Sequence, residues 1–447
     1  MSLYNSFSRN VIAPFSDKLL GRSISSSLRF LEESQWWGRD KMISYQNEKL
    51  RHMVQYAYNE IPFYRELYDR HGITISQIQT VDDLKKLPVI QKQNIRDIAK
   101  SRAMRKNKKV VPGISSGSTG EPLQYTKNME AYSFHTASAI RAWGWMGYTV
   151  GDKYIKVSQN PRTSRMKKLQ DKVNRSEYVF LKDINDEEFE KLYRTMVRFK
   201  PKFLRCYPDP LYFFCKYLEK KGYEPPPLKA INTTGNILYP EARRFIEDTL
   251  STEIFDAYSC EGGAVFFQAE KDKNYFGADE YAVTEILNEA GQIAEPSEKG
   301  RLITTDLWNT EVPFIRYDTQ DIVTRADVSS NSERSLTQIE AIDGRDCDIL
   351  VTPDGRLVIV HIFTIFFEWF ESVDQFQAIQ EEKDLFRILL VVNKNFTDAD
   401  MKKIDTYWSD YFGDKAKVEI DIVDEINPRK SGKRSFLVRE EHIPLPF

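Results

Sequence analysis

Residues 202–235 read KFLRCYPDPLYFFCKYLEKKGYEPPPLKAINTTG. A short apolar run at each end, KFLRCY (202–207) and KAINTTG (229–235), brackets an amphipathic stretch at 210–221. That is the pattern of strand, crossover helix and strand. The same rhythm extends in both directions. KYIKVS (153–158), EYVFL (177–181) and EIFDAY (253–258) read as further strands, and 186–198 and 240–251 as further helices. Such alternation predicts a mostly parallel sheet covered by helices. Upstream, Leu50, Val54, Ala57 and Ile61 recur at helical spacing in residues 46–61, a run ended by Pro62.

After about residue 280 the pattern changes to strand after strand: YAVTEIL (281–287), GRLITTDL (300–307) and FIRYDTQDIV (314–323). These predict a smaller antiparallel or mixed sheet. Beyond 345 come two strands, a helix at 362–372, strands near 373–379 and 386–392, a helix at 397–411 and a strand near 417–423. The expected architecture is therefore α/β. A large multi-layered N-terminal domain (1–344) has mostly parallel sheets plus a small antiparallel sheet, and a small α+β C-terminal domain (345–447) follows.

Composition narrows the function classes. A chain of 447 residues needs more than one core, and 41% hydrophobic residues can fill them. With 64 Lys+Arg against 66 Asp+Glu, the net charge of −2 excludes nucleic-acid binding by bulk positive charge. The basic stretch Arg102–Lys109 reads as a solvated loop. Cys206, Cys215, Cys260 and Cys347 have no metal-ligand spacing and suit reduced thiols in a cytoplasmic protein. No apolar run reaches the length of a membrane span. The polar N-terminus, MSLYNSFSRNVIAPFSDKLL, interrupted by Pro14, is expected to pack on the body of the protein, with peripheral membrane contact left open.

The sharpest local motif is Ser115-Ser116-Gly117-Ser118-Thr119-Gly120-Glu121-Pro122, after the strand-like KKVVPGI. Small residues let backbone N–H groups approach phosphate oxygens, and the hydroxyls add donors. It lacks the Gly-Lys-Ser/Thr ending of a Walker loop. By itself such a run is more often a flexible loop, but four further motifs follow it in order. They are FDAYSCEG (255–262), TTDLWNTEVPFIRYDTQD (304–321), IDGRDCD (342–348) and RKSGK (429–433).

Together these resemble the acyl-adenylate-forming superfamily. YAYNEIPFYRELYDRHGI (56–73), LPVIQKQNIRD (87–97), WGWMGYTVGDKY (143–154) and DQFQAIQ (374–380) add a resemblance to its phenylacetate–CoA ligase branch, including relatives from capsular polysaccharide clusters. The resemblance implies an ATP-dependent ligase that activates a carboxylate as acyl-AMP. The C-terminal domain would then act as a lid. It further implies that Ser115, Ser116, Gly117, Ser118, Thr119 and Gly120 cradle phosphates, with Asn236, Tyr258, Asp321 and Arg345 completing the ATP/AMP site. Glu261 is the implied magnesium ligand, Lys433 the catalytic lysine of the lid, and Cys347 the hinge. These roles suit a reaction in which anion meets anion, so that catalysis is mostly positioning and charge neutralisation.

Each residue also has a plainer reading. Asp321 could be a turn cap, Lys433 a solvated charge and Tyr258 part of the core. His135 and Tyr207 are substrate-pocket candidates. For His135 a satisfied histidine within packed helices is the first reading, and for Tyr207 a helix start. The substrates implied are a small carboxylic acid and ATP with Mg²⁺, and no nucleic acid. The acceptor is either coenzyme A or an amine or hydroxyl of a sugar or amino acid. No zinc site is expected.

Several positions depart from the family pattern. Glu121 stands where many relatives have lysine, Asn236 where they often have glutamate, and Cys347 where aspartate or lysine is usual. Asp318 and Gln320 replace an arginine and a glycine, and Glu261 follows Tyr258 by three residues instead of four. These departures support one alternative, a non-catalytic descendant that binds nucleotide or ligand as a sensor or scaffold.

Overall fold

The computed structural model describes residues 2–103, 110–114, 123–158, 162, 164–181, 186–260, 262–269, 272–327, 333–345, 349–354, 357–359, 363, 366–367, 370, 372–413, 415–426, 436–440 and 442–443. The chain divides into two compact units. The first comprises 1–115, 124–319 and 323–342; the second comprises 116–123, 320–322 and 343–447.

The first unit opens with helices α1 (Leu3–Phe7), a π-helical turn (Ser8–Ile12), α2 (Ala13–Leu20) and α3 (Ile24–Ser34). Then come α4 (Arg39–Glu60), α5 (Pro62–Arg70) and α6 (Lys92–Ala103). Pro62 ends the predicted helix and also starts the next: it occupies the first turn of α5, where a missing N–H costs nothing. Arg102 differs from the expected solvated loop. It lies buried on α6 and donates to the carbonyls of Thr310 and Glu311 and to the Tyr56 hydroxyl, each at 2.9 Å. Charge count alone does not separate such a residue from a solvated face.

A two-stranded antiparallel ribbon, β1 (Val110–Ile114) and β2 (Gln124–Asn128), leads into α7 (Met129–Trp145). Asn128 caps α7 by accepting from Ala131 N at 2.7 Å. The parallel strands follow: β3 (Tyr154–Ser158), β4 (Ser176–Phe180), β5 (Phe203–Cys206), β6 (Ala230–Thr234) and β7 (Ile254–Ser259). They are separated by α8 (Arg165–Val173), α9 (Asp186–Phe199), α10 (Pro208–Lys221) and α11 (Pro240–Leu250).

Strand periodicity sends alternate side chains to opposite faces. Ile155, Val157, Val179, Leu204, Cys206, Ile231 and Ile254 pack with Phe189, Leu192, Leu211, Phe214 and Ile246 of α9–α11. Tyr154, Phe203, Ala230, Phe255 and Ala257 face the other way, onto Phe134, Ala137, Ala142 and Trp143 of α7. The sheet is thus covered on both faces, as parallel strands require.

After β7 the chain reverses. β8 (Val265–Ala269), β9 (Asp272–Gly277), β10 (Ala282–Leu287), β11 (Lys299–Asp306), β12 (Tyr317–Arg325) and β13 (Gln338–Arg345) continue the same sheet. Its eleven strands run β10-β11-β12-β13-β9-β8-β7-β6-β5-β3-β4. The parallel and antiparallel halves are therefore continuous, joined through β8 and β9.

The second unit contains the antiparallel pair β14 (Ile349–Val351) and β15 (Leu357–Ile359). Its main sheet has the order β18-β17-β16-β19, from β16 (Val373–Glu382), β17 (Leu385–Val392), β18 (Lys417–Ile422) and β19 (Leu437–Arg439). Helix α12 (Asp398–Phe412) is set by a capping box between Thr397 and Asp400. Its Trp408 stacks on Phe363 with centroids 3.9 Å apart, and Phe412 stacks on Phe386 at 4.0 Å. Gln380 ties β16 to β14 by accepting from Val351 N at 2.9 Å and donating to Val351 O at 2.7 Å.

Candidate functional site

Ligands of open α/β sheets bind beyond the carboxyl ends of the parallel strands. In the first unit the loops leaving β5, β6 and β7 meet there. Tyr207 follows β5 as the N-cap residue of α10, in extended conformation (ψ 150°). Its ring lies close against Gly235, which follows β6 with φ +89°; a Cβ at 235 would come within 2.5 Å of the Tyr207 ring. Only glycine accommodates that approach and that backbone angle. Asn236, next in the chain, donates to Asp209 Oδ2 at 2.5 Å, so the β6 loop is tied to the start of α10. Tyr207 does start a helix, and its half-buried ring also walls the edge where Asn236 stands.

At the end of β7, half-buried Tyr258 lies opposite Phe266 of β8. A tight turn follows, with Cys260 N donating to Ala264 O at 3.0 Å. Gly262 in that turn has no room for a side chain, since its Cβ would lie 2.3 Å from Thr304 Cγ2. Thr304 Oγ1 donates to Gly262 O at 3.0 Å. The turn carrying the expected magnesium ligand is thereby pinned to β11. Glu261 itself lies outside the described residues, as do Ser115, Ser116, Gly117, Ser118, Thr119, Gly120, Glu121, Cys347 and Lys433. Among the described residues no three His, Cys, Asp or Glu side chains group to hold a metal ion.

Asp321 is buried on β12. Arg345 ends β13, with its side chain outside the described residues. The two departures beside Asp321 have separate explanations. Asp318 is buried and paired with Arg301 at 3.2 Å, and also accepts from Gln91 Nε2 at 3.2 Å. Gln320 adopts φ +64°, the left-handed conformation that glycine supplies without strain.

A row of mostly polar side chains on the α7 face of the sheet, ending at Phe255, escaped the sequence reading. Tyr178, Lys156, Arg205, Asn232 and Phe255 are successive register partners across β4, β3, β5, β6 and β7. Lys156 Nζ lies 5.9 Å from the Tyr178 ring, and the Arg205 guanidinium lies 5.7 Å from the Trp143 ring. Neither cation has a carboxylate partner among the described residues. Burial, then the Arg205 charge, pushes the Lys156 ammonium down to about 8. The Asn232 amide nitrogen donates to Thr233 O and Phe255 O, leaving its buried oxygen without a partner among the described residues.

His135 of α7 belongs to the same surroundings. Burial, then the charges of Lys127 and Arg205, holds its imidazole well below the usual value, so it is neutral at pH 7. Its ring stands 5.6 Å from Tyr281. Two members of the row left a signal in the sequence, since KYIKVS and KFLRCY each place a cation inside a strand that helices cover on both faces.

The chain aligns with a crystal structure of 2-hydroxyisobutyryl-CoA ligase in the postadenylation state, in complex with R3-HIB-AMP. The TM-score is 0.71 over 91% of both chains at 15% identity. The fold is that of the acyl-adenylate-forming, AMP-forming ligases. Within that fold the chain is a homologue of the phenylacetate–CoA ligases and of CapK, and residues 350–440 match the CapK C-terminal domain. It is 24% identical to the phenylacetate-coenzyme A ligase of Pseudomonas putida over 81% of each chain. It is 23% identical to Protein CapK of Staphylococcus aureus over 88% of each.

Proposed function

We propose that the protein is an ATP-dependent carboxylate ligase. A carboxylate oxygen attacks the α-phosphorus of ATP and pyrophosphate leaves. An acceptor then attacks the acyl carbonyl of the acyl-AMP, loses its proton, and AMP departs. The observation that carries this reading is the convergence of Tyr207, Gly235–Asn236 and Tyr258 at the carboxyl edge of the parallel strands, in the fold of the adenylate-forming ligases.

In this reading Ser115–Gly120 hold the phosphates, Tyr258 and Asn236 border the adenine, and Asp321 accepts from the ribose hydroxyls. Arg345 completes the nucleotide site. Lys433 brings a point charge to the phosphate on a mobile lid that pivots at Cys347. Glu261 takes Mg²⁺, which neutralises phosphate charge when bound. The proposed domain boundary is 344/345.

The relatives named as coenzyme A ligases favour a thiol acceptor. The resemblance to relatives from capsular polysaccharide clusters makes an amine or hydroxyl of a sugar or amino acid the second choice. Lys156 and Arg205, which have no carboxylate partner among the described residues, suit an acid that carries polar or anionic groups besides the reacting carboxylate. A non-catalytic descendant remains the competing reading, motivated by Glu121, Asn236, Asp318 and Gln320.

ATP–pyrophosphate exchange against aryl, short hydroxy, amino and uronic acids separates the two. Exchange is expected with at least one acid, lost in Lys433→Ala while the variant keeps ATP binding. Full exchange in Lys433→Ala removes that residue from the mechanism. ATP binding without exchange across the panel favours the inert descendant.

A further inference from the structure

Residues 3–20 form a near-continuous helix, α1, the π-helical turn and α2, whose most exposed side chains are large and apolar. Asn5, Ser8 and Asp17 are its buried members, and polar contacts tie it to the body. Asn5 Nδ2 donates to Thr149 O at 3.5 Å, and Tyr4 OH donates to Val173 O at 3.1 Å. The Arg175 guanidinium sits 4.7 Å from the Tyr4 ring, and Asp17 accepts from Ser25 N at 2.6 Å. Arg9 pairs with Glu32. A Cβ on Gly151 would meet Ser8 at 3.1 Å, which shows how closely the helix lies on that loop.

The outward face is apolar. Leu3, Phe7, Val11, Phe15 and Leu19 recur every four residues and are between 50% (Val11) and 92% (Leu3) exposed. In a regular α-helix, positions four apart drift by about 40° per step and would wind away from one side. The π-helical turn Ser8–Ile12 sits in the middle of the run and, being wider, takes up part of that drift. The result is one stripe along a rod of about 27 Å.

We propose that this stripe seats the protein on the surface of a bilayer containing anionic lipid. Large aromatic and aliphatic side chains along one side of a helix lying flat are the interfacial pattern. Residues 2–22 contain Arg9, which is paired with Glu32, and Lys18 and Arg22, while the single acid of the segment, Asp17, is turned inward. That charge matches anionic headgroups and opposes a second copy of the same stripe. The helix is already folded on the body through its polar side, so seating it requires no coil-to-helix step. No helix among the described residues is long and apolar enough to cross a membrane, so the stripe lies on the surface.

Cosedimentation of the full chain with vesicles tests this. Phosphatidylcholine vesicles containing phosphatidylglycerol should pellet the protein, pure phosphatidylcholine at least tenfold less, and added salt should release it. Phe7→Ser/Phe15→Ser changes only exposed side chains, so it should keep the parent's melting temperature and lose at least tenfold in binding. Parent protein that stays in the supernatant, or a folded double variant that binds as well as the parent, overturns the proposal. So does a concentration-dependent dimer in sedimentation velocity that the double variant abolishes while vesicles bind neither protein.

Discussion

At Gln320 a side chain occupies a backbone position suited to glycine: φ is +64° inside β12. The left-handed conformation costs a residue with a Cβ roughly 1–2 kcal/mol, and glycine costs about 0.5–1 kcal/mol in chain entropy. Gln320→Gly should therefore leave thermal stability unchanged or slightly raised, whereas Gln320→Val should lower it by more than about 1 kcal/mol. Equal melting temperatures for the two variants would show that the angle imposes no strain. The replacement of glycine by Gln320 was readable in the sequence; that the backbone keeps the glycine angle was not. Lys156 offers a pH test. Its ammonium is held at about 8, below its ordinary value of 10.5. Between those values the folded chain binds fewer protons than the unfolded one, so this residue makes stability rise as pH increases through that window. Urea unfolding of Lys156→Met should lose that rise and show greater stability at pH 7. An unchanged pH slope would mean that Lys156 is fully solvated.

The element that decides local geometry is the turn between β7 and β8. Gly262→Ala drives a methyl to within 2.3 Å of Thr304 Cγ2 and 3.0 Å of Tyr317, so a loss of about 1–3 kcal/mol is expected. Thr304→Ser removes the obstructing methyl and keeps the hydroxyl that donates to Gly262 O. The double variant should thus recover part of the loss in a thermal melt; additive losses would place the strain elsewhere. The strands on either side of this turn were visible in the sequence because alternation is local. The continuity of the eleven-stranded sheet was not, since β13 pairs with β9 more than sixty residues earlier, as in Gln338 opposite Phe276. Local periodicity carries no record of such a partner.

For the molecule as a whole, the proposed chemistry needs the second unit in two roles, one for adenylation and one for acyl transfer. Cys347→Pro would fix φ at 347 and restrict ψ at 346. It should impair one half-reaction far more than the other with little loss of thermal stability. Pyrophosphate exchange and acyl transfer, measured separately, decide this: equal effects on both would remove 347 as the pivot. Order along the chain made the five motifs legible from the sequence. The row of Tyr178, Lys156, Arg205 and Asn232 was hidden because each member comes from a different strand, and only register sets them side by side.

The strand order also bears on how the chain is made. β10, β11 and β12 form one run and β7, β8 and β9 another, and β13 is the strand that separates and joins them. A ribosome delivers residues 338–345 only after every other strand of that sheet has emerged. Until then the nascent chain carries two unfinished borders, β9 and β12, each offering open N–H and C=O groups to any neighbouring strand. The first unit is therefore unable to complete its sheet during most of its own synthesis, and chaperones that mask strand edges have the longest opportunity to act on it in that interval.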